Sequence, residues 1–541
     1  MYILPKNRFW ILCILPKFFE GWQYHLTKDD LFGIIDLEKF NLMEEYMKRI
    51  ICFFLCLVLV FGTVVLVSCA EKESTKNNDG EAIVIDPEDD YLKKFEDLDF
   101  DGYVVKYALS SAEDPNSIGH IACNVEEKNG DTVVDAIYDR NETIKNTINV
   151  DIEVVTTTNH TGFTAAVRPS LMAGDTDYDW LWGQQANDID LCLEGYVYDL
   201  NTLSDEVNYI DPTGDWWAGD YMSHYQYKNE LYWLSGPLCL GYAGGADCIL
   251  VNSRLYETNF GESYGNIYDF VREGKWTVDE MAKMSSTIYR DVDNDNKLSD
   301  ADIFGIRFNC SWCIMRYLIG AGLECSTRNA DGSITFGISH TNEEYITLVQ
   351  KLYSTMNSTP GMSAQKSPWG SQSTFSDGNQ LFMFGSLSTM QNFREMEDDF
   401  YLIPLPKFDL NQAEYRASMQ DSNQIMGLVY TCENIPAATA TLEMMAYLSN
   451  ENVSNVYFNE VLKYKYSRDD DTAEMVQLIH DSVYTDFVLV WELYLFDGNH
   501  WLRYDGFVAN PASQIKKKVE SWTKLFNQML SDLEGVTVGG K

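Results

Sequence analysis

The chain has 541 residues, 45% hydrophobic and 23% charged, a composition typical of globular chains and not of disordered ones. Basic and acidic residues balance over residues 1–69, so the whole formal net charge of −42 falls after Cys69. A surface that acidic repels nucleic-acid phosphates and anionic lipid, which excludes both as ligands and suits a neutral or cationic one. The stretch after Cys69 is also too long for one hydrophobic core, which predicts two domains.

In chain order, the first feature is the uncharged run Ile50–Val67, just long enough for a membrane span. Its flanks point elsewhere. Lys48-Arg49 forms a short basic start, and Leu66-Val67-Ser68 places small or aliphatic residues directly before Cys69. Basic start, apolar core and small-residue site together read as a secretory signal, with a plain signal anchor as the alternative. The cysteine at the cut site resembles the bacterial lipobox, and that resemblance implies acylation of the Cys69 thiol. Residues 70–98 begin AEKESTKNNDGEAIVIDPEDD and read as a polar tether. Residues 1–46 are awkward ahead of a signal. The expectation is that translation starts at Met47, after purine-rich codons for Glu44-Glu45, making 1–46 a non-translated or mis-assigned extension and 47–69 the signal peptide.

YVVKYAL (103–109) and VDIEVVTTT (150–158) read as strands from their β-branched and aromatic content. Between them, Ala136, Ile137, Ile144 and Ile148 recur at helical spacing over 135–148. DYDWLWG (177–183) reads as a third strand, and this strand–helix–strand order predicts a parallel sheet. LYWLSG (231–236) and CILVNS (248–253) continue the strand pattern. Helices follow at 280–289 and 342–356, and an amphipathic helix over 512–533 ends the chain. No repeat of twenty to fifty residues occurs, which argues against a solenoid or propeller. The closing Gly539-Gly540-Lys541 lacks the context of a phosphate loop, so nucleotide hydrolysis is not expected.

DVDNDNKLSDAD (291–302) is the sharpest motif. Asp291, Asp293 and Asp295 take positions 1, 3 and 5 of a calcium loop, Lys297 offers a carbonyl at 7, Ser299 lies at 9 and Asp302 closes at 12. Asn296 replaces the glycine at position 6, tolerable because Asn visits left-handed backbone, and Asp302 is shorter than the usual Glu. The loop resembles one half of a dockerin, but no second copy occurs. The alternatives are a structural Ca²⁺ and a solvated acidic turn. Cys310-Ser311-Trp312-Cys313 is a CxxC with no second pair to complete a zinc tetrad, so buried thiols or one local disulfide are expected.

Several stretches resemble, in order, the extracellular solute-binding lipoproteins of carbohydrate-type ABC importers (family 1-like). AGDTDYDWLWGQQ (173–185) and EGYVYDLNTL (194–203) match its third strand and following turn; KNELYWLSG (228–236) with ILVNSRLYE (249–256) match the entry into its second lobe. EGKWTVDEMAKMS (273–285), FSDGNQLFMFGSL (375–387) and DFYLIPLPKFD (399–409) match further elements, and KYKYSRDDDTAEMVQLI (463–479) is similar to a gut-Firmicute branch. The resemblance implies an α/β, two-lobed periplasmic-binding-protein-like fold of type II with a hinge. It implies lobe 1 over 99–248 plus about 425–455, and lobe 2 over 249–424 plus about 456–541. The candidate ligand residues by family position are Trp182, Gln184, Gln185, Tyr242, Trp312, Ser386 and Asp421, with Trp369 and Trp501 as further aromatics. Aromatic platforms and amides suit a sugar, although each aromatic has a core alternative. The adjacent amides Gln184 and Gln185 have no evident structural task.

The resulting expectation is a monomeric, lipid-anchored protein on the outer face of a bacterial cell membrane. It captures a sugar or oligosaccharide for an ABC permease, with no catalytic cofactor and no turnover. The alternatives are an extracellular glycoside hydrolase, although no spacing marks a carboxylate pair, and a glycan-binding lipoprotein without a transporter.

Overall fold

Tyr103–Leu109 (β1) and Val150–Thr156 (β2) are parallel neighbours, in register from Tyr103↔Val150 to Leu109↔Thr156. Helix α1, Thr132–Ile148, crosses between them and buries Ile137, Ile144 and Ile148. Asp131 starts it by accepting the N–H groups of Val133 and Val134, and Asn149 ends it in left-handed backbone. The computed structural model describes residues 90–110, 122–296, 299, 301–308, 311–364, 368–393, 395–419, 423–454, 456–457, 470–496 and 508–539, all within one compact unit, Glu81–Lys541.

Helix α2, Phe163–Ala173, stops at left-handed Gly174 and leads to β3, Trp180–Gln184, which lies parallel to β1. The fourth strand of this sheet comes from far along the chain: β12, Gln424–Leu428, runs antiparallel to β3, giving the order β12-β3-β1-β2. All five residues of β3 are buried, so its apolar run shows no alternation. Trp180 Nε1 donates to the Ala438 carbonyl at 3.1 Å, tying the sheet to a helix over Ile435–Leu448 that is buried along most of its length. These elements form lobe 1.

Lobe 2 is built on a five-stranded sheet of order β10-β4-β9-β5-β8. Its strands are β4 (Asp247–Asn252), β5 (Phe304–Phe308), β8 (Met362–Ala364), β9 (Gln380–Ser386) and β10 (Phe400–Ile403). β4 is antiparallel to β9 and β10, while β5 is parallel to β8 and β9. Helix α4 (Val278–Ile288) is capped by Thr277 and packs on β5, near helix α6 (Glu343–Ser358), which Asn342 caps. Helix α5, Ser311–Gly320, lies between them in sequence.

Among the described residues, two stretches pass between the sheets next to each other. Leu234 bridges to Met426 beside the first sheet, and Ala246 bridges to Met419 at the second, so both crossing strands run side by side. Further along, the Ile435–Leu448 helix (α7) packs on the first sheet's side, and α8, Asp470–Asp481, packs against β10. The strand expected at 231–236 reduces to that one bridge at Leu234. Its neighbours are engaged elsewhere: Trp233 Nε1 donates to the Ile189 carbonyl and Ser235 Oγ to that of Gln424.

The last residues of the stretch read as a tether are packed. Leu92 and Phe95 are buried, and the Tyr91 hydroxyl donates to buried Glu443, which also accepts Trp216 Nε1 and Trp217 Nε1 at 3.1 Å each. Cys69, the signal run and the upstream extension lie outside the described residues. Among the described residues, no helix is long and apolar enough to cross a membrane.

Candidate functional site

The carboxyl end of β3 meets the first residues of β12 at Gln184↔Gln424, on the edge of the first sheet from which the crossing strand arrives. In open α/β sheets, ligands bind beyond this edge. Four amides converge there, Gln184, Gln185, Asn423 and Gln424, all buried. The Gln185 N–H donates to the Asn423 carbonyl at 2.8 Å, and Asn423 Nδ2 donates to Ser235 Oγ at 3.2 Å. Asn423 Oδ1 and Gln424 Oε1 accept no hydrogen bond among the described residues. A buried amide oxygen without a donor is costly, so these two oxygens are open acceptors at the sheet edge. Tyr221, on the short helix α3 (Gly219–Ser223), donates to Gln185 Oε1 at 2.7 Å.

The turn after β3 is fixed by Asp188, which accepts the Gln184 N–H at 2.7 Å and the Thr164 hydroxyl. Burial pushes its carboxyl up to about 7, against the opposing effect of those two donors. Gly183 is required there because a Cβ would lie 2.4 Å from Asp188 Oδ2.

Across the seam lie Met315 and Ile319 of α5, on lobe 2, and a segment of Leu489, Val490 and Leu493. Its polar members are Thr485 and Glu492. Together with Gln185, Ala186 and Tyr221 of lobe 1 and Met419 of the crossing strand, they enclose about 40 Å³. That volume holds about one water, against roughly 300 Å³ or more for a small-molecule pocket.

The other predicted ligand residues are spread out. Trp182 is buried in β3 at 6.0 Å from the Tyr107 ring, and its Nε1 has no acceptor among the described residues. Tyr242 lies between the rings of Tyr221 (5.6 Å) and His480 (5.7 Å), and burial pushes its hydroxyl up to about 12. Ser386 ends β9 opposite Asp247, buried, with its Oγ 3.0 Å from the hydroxyls of Ser388 and Thr389. Asp421 and Trp501 lie outside the described residues, as do the side chains of Trp312 and Trp369 and the CxxC thiols. Tyr221, Ser235, Asn423 and Gln424 were not singled out from the sequence. The local signal available was the Asn423-Gln424 amide pair, which mirrors Gln184-Gln185.

At the second-sheet end of the crossing, Asp247 is fully buried and binds Arg316 Nη1 through both oxygens at 2.9 and 3.1 Å. Ser418 adds a third bond to the same carboxylate. This pair fixes α5, and with it the lobe-2 wall, to the crossing.

In the acidic loop, carboxylate oxygens of Asp291, Asp293 and Asp302 lie within 4.8 Å of one another. Asp295 is not part of that group, and Lys297 lies outside the described residues. Asp302, buried, accepts the N–H groups of Val292 and Ser299, while Asp291 accepts those of Asp295 and Asn296. Asn294 and Asn296 both adopt left-handed backbone at φ 58°, and paired Arg290 and Ile303 close the loop at its base.

No protein-family model matches the chain, and no curated protein matches it. Solved structures do. An ABC substrate-binding protein from Listeria monocytogenes in complex with cycloalternan is similar over 79% of this chain and all of that one, at 13% identity and a TM-score of 0.52. A cyclo/maltodextrin-binding protein complexed with maltotetraose is similar over 79% and 98%, at 11% identity and a TM-score of 0.51. UgpB from Mycobacterium tuberculosis in complex with glycerophosphocholine is similar over 78% and 98%, at 12% identity and a TM-score of 0.51. At these identities the likeness concerns the fold: two α/β lobes of the periplasmic-binding-protein kind.

Proposed function

We propose that this chain is an extracytoplasmic solute-binding protein that captures a carbohydrate in the cleft between its lobes, without turnover. The observation that carries the reading is the convergence of four buried amides at the first sheet's carboxyl edge, two with open acceptor oxygens and one, Gln185, lining a cavity opposite a largely apolar wall. A sugar offers hydroxyl donors to such oxygens and C–H faces to such a wall. The cyclo/maltodextrin-binding structure is titled with maltotetraose and the Listeria structure with cycloalternan, which supports testing oligosaccharides first. A thermal-shift screen against mono- and oligosaccharides, followed by calorimetry on each hit, tests the reading. Saturable binding with no change in the glycan supports it, whereas glycan cleavage favours a hydrolase.

The same reading extends to the ends of the chain. We infer a lipid anchor at Cys69, a soluble monomeric body, and delivery of the solute to an ABC permease; the basic start, apolar run and Leu66-Val67-Ser68-Cys69 site support the anchor. Fatty-acid labelling that is lost in Cys69→Ala supports it, and labelling unaffected by that change contradicts it. The domain division is proposed as 99–248 plus about 425–455 against 249–424 plus about 456–541. A structural Ca²⁺ is proposed for the acidic loop. The Asp291, Asp293 and Asp302 oxygens are the hard donors such an ion takes, and Asp295 and the Lys297 carbonyl are the remaining candidates. Calorimetric titration of chelator-treated protein should then give heat with Ca²⁺ and a higher melting temperature; neither change leaves the loop a solvated turn.

A further inference from the structure

Lobe 1 follows Tyr221, which lines the interlobe cavity, with the segment His224–Lys228, and three separate parts of lobe 2 reach that segment. The first is a hairpin of β6 (Ser326–Arg328) and β7 (Ile334–Phe336). Its Arg328 guanidinium donates to the Gln226 carbonyl, and its Gly332 carbonyl accepts the Lys228 N–H at 3.2 Å. The approach is close enough that a Cβ on Gly332 would lie 2.9 Å from Lys228 Cα, and Gly332 itself has φ +79°. Lys228 has φ 50°, a left-handed conformation that a lysine adopts at some cost, here held by the hairpin.

The second part is helix α9, Pro511–Gly535, which packs on lobe 2 through Phe526 against Phe336 and Phe487 and also on residues Ile189–Glu194 of lobe 1. Near its end, Glu534 accepts the Tyr227 hydroxyl at 2.8 Å and the Lys228 ammonium. Beyond it, the Gly539 N–H donates to the Gly195 carbonyl of lobe 1 at 2.9 Å. The third part is Tyr484 of β13 (Val483–Tyr484), a strand paired with β11 (Ala417–Ser418); its ring stands 5.0 Å from that of His224.

These contacts are protein to protein and involve no solute group. We infer that they form a latch that holds the lobes together by itself, so that the closed arrangement is populated without ligand and solute entry waits on release of residues 224–228. The consequence is a two-step association. Opening limits the on-rate, and the latched arrangement, with room for about one water, competes with the solute-bound one and lowers apparent affinity by the fraction latched.

The test uses the full chain with no solute added, so its outcome is separate from whether a carbohydrate is the ligand. Spin labels on non-natural residues at Met172 and Leu410, exposed at 69% and 71% on lobes 1 and 2, report the interlobe distance by pulsed electron resonance. The unaltered latch should give a single short distance. Arg328→Ala with Glu534→Ala should add a longer one, raising the open fraction roughly tenfold for the several hydrogen bonds lost. Gly332→Val is the second variant. It presses a side chain onto Lys228 without removing a charge, and should open the lobes to the same longer distance; circular dichroism checks that each variant is folded. A long distance already dominant with the latch intact, or unchanged distances in folded forms of both variants, would overturn the inference.

Discussion

The two walls of the cleft are built on different chemistry. Lobe 1 presents the Gln185 amide from a sheet edge and the Tyr221 hydroxyl from α3, placed by specific hydrogen bonds, as Gln185 is by Asn423 and Tyr221. Lobe 2 presents mainly Met315, Ile319, Leu489, Val490 and Leu493, placed by packing, with the buried Asp247–Arg316 pair anchoring α5 behind them. Hydrogen bonds discriminate between solutes because an unmatched buried oxygen is costly, whereas apolar contact is tolerant of shape. On the proposed function, this difference gives selection to lobe 1 and water exclusion to lobe 2.

The largest break in that division is expected at the anchor. Asp247→Ala leaves the Arg316 guanidinium buried beside Phe384 without its carboxylate, which should cost about 3–5 kcal/mol in a denaturant titration. Gln185→Ala removes a lobe-1 contact and should weaken solute binding roughly tenfold in calorimetry, with the melting temperature little changed. Ile319→Val takes one methyl from the lobe-2 wall. It should cost about 0.5–1.5 kcal/mol of stability and leave the ranking of solutes as it was.

The smallest effect expected is one of pH. His224 is held below the ordinary histidine value of 6.5, first by burial and then by Arg328 and Arg416, with Asp220 and Glu324 opposing and the Tyr484 ring alongside. A histidine with a depressed pKa costs nothing while it is neutral. Its contribution is therefore intact above about 6.5 and is lost as pH falls below it, because the unfolded chain takes up a proton that the folded one resists. Buried Asp188 and Asp486, whose carboxyls burial pushes up to about 7 and about 6, slope the other way. The discriminating quantity is thus the difference in melting temperature between wild type and His224→Gln from pH 7 to 5, which should widen in favour of the variant.

Much of the fold was legible in the sequence because its signals are local. β1, α1 and β2 announce themselves by β-branched runs around a helical period, and Gln184-Gln185 stands out as two amides after an apolar strand. The acidic loop is local as well, since its spacing alone brings Asp291, Asp293 and Asp302 together. The other half of the site was hidden because it is made by pairing across some 240 residues, β3 with β12. Nothing near Asn423 or Gln424 in sequence states which strand they will join. Trp182 illustrates the converse difficulty: in a strand buried on both faces, a core aromatic and a ligand platform have the same local pattern.

The most direct measurement of the central claim is calorimetric titration of an oligosaccharide panel into wild type and Gln185→Ala, with the glycans analysed afterwards. The account predicts saturable binding of at least one member at one per chain, roughly tenfold weaker in the variant, with every glycan recovered intact. Cleaved glycan, or binding that the substitution leaves unchanged, would contradict it.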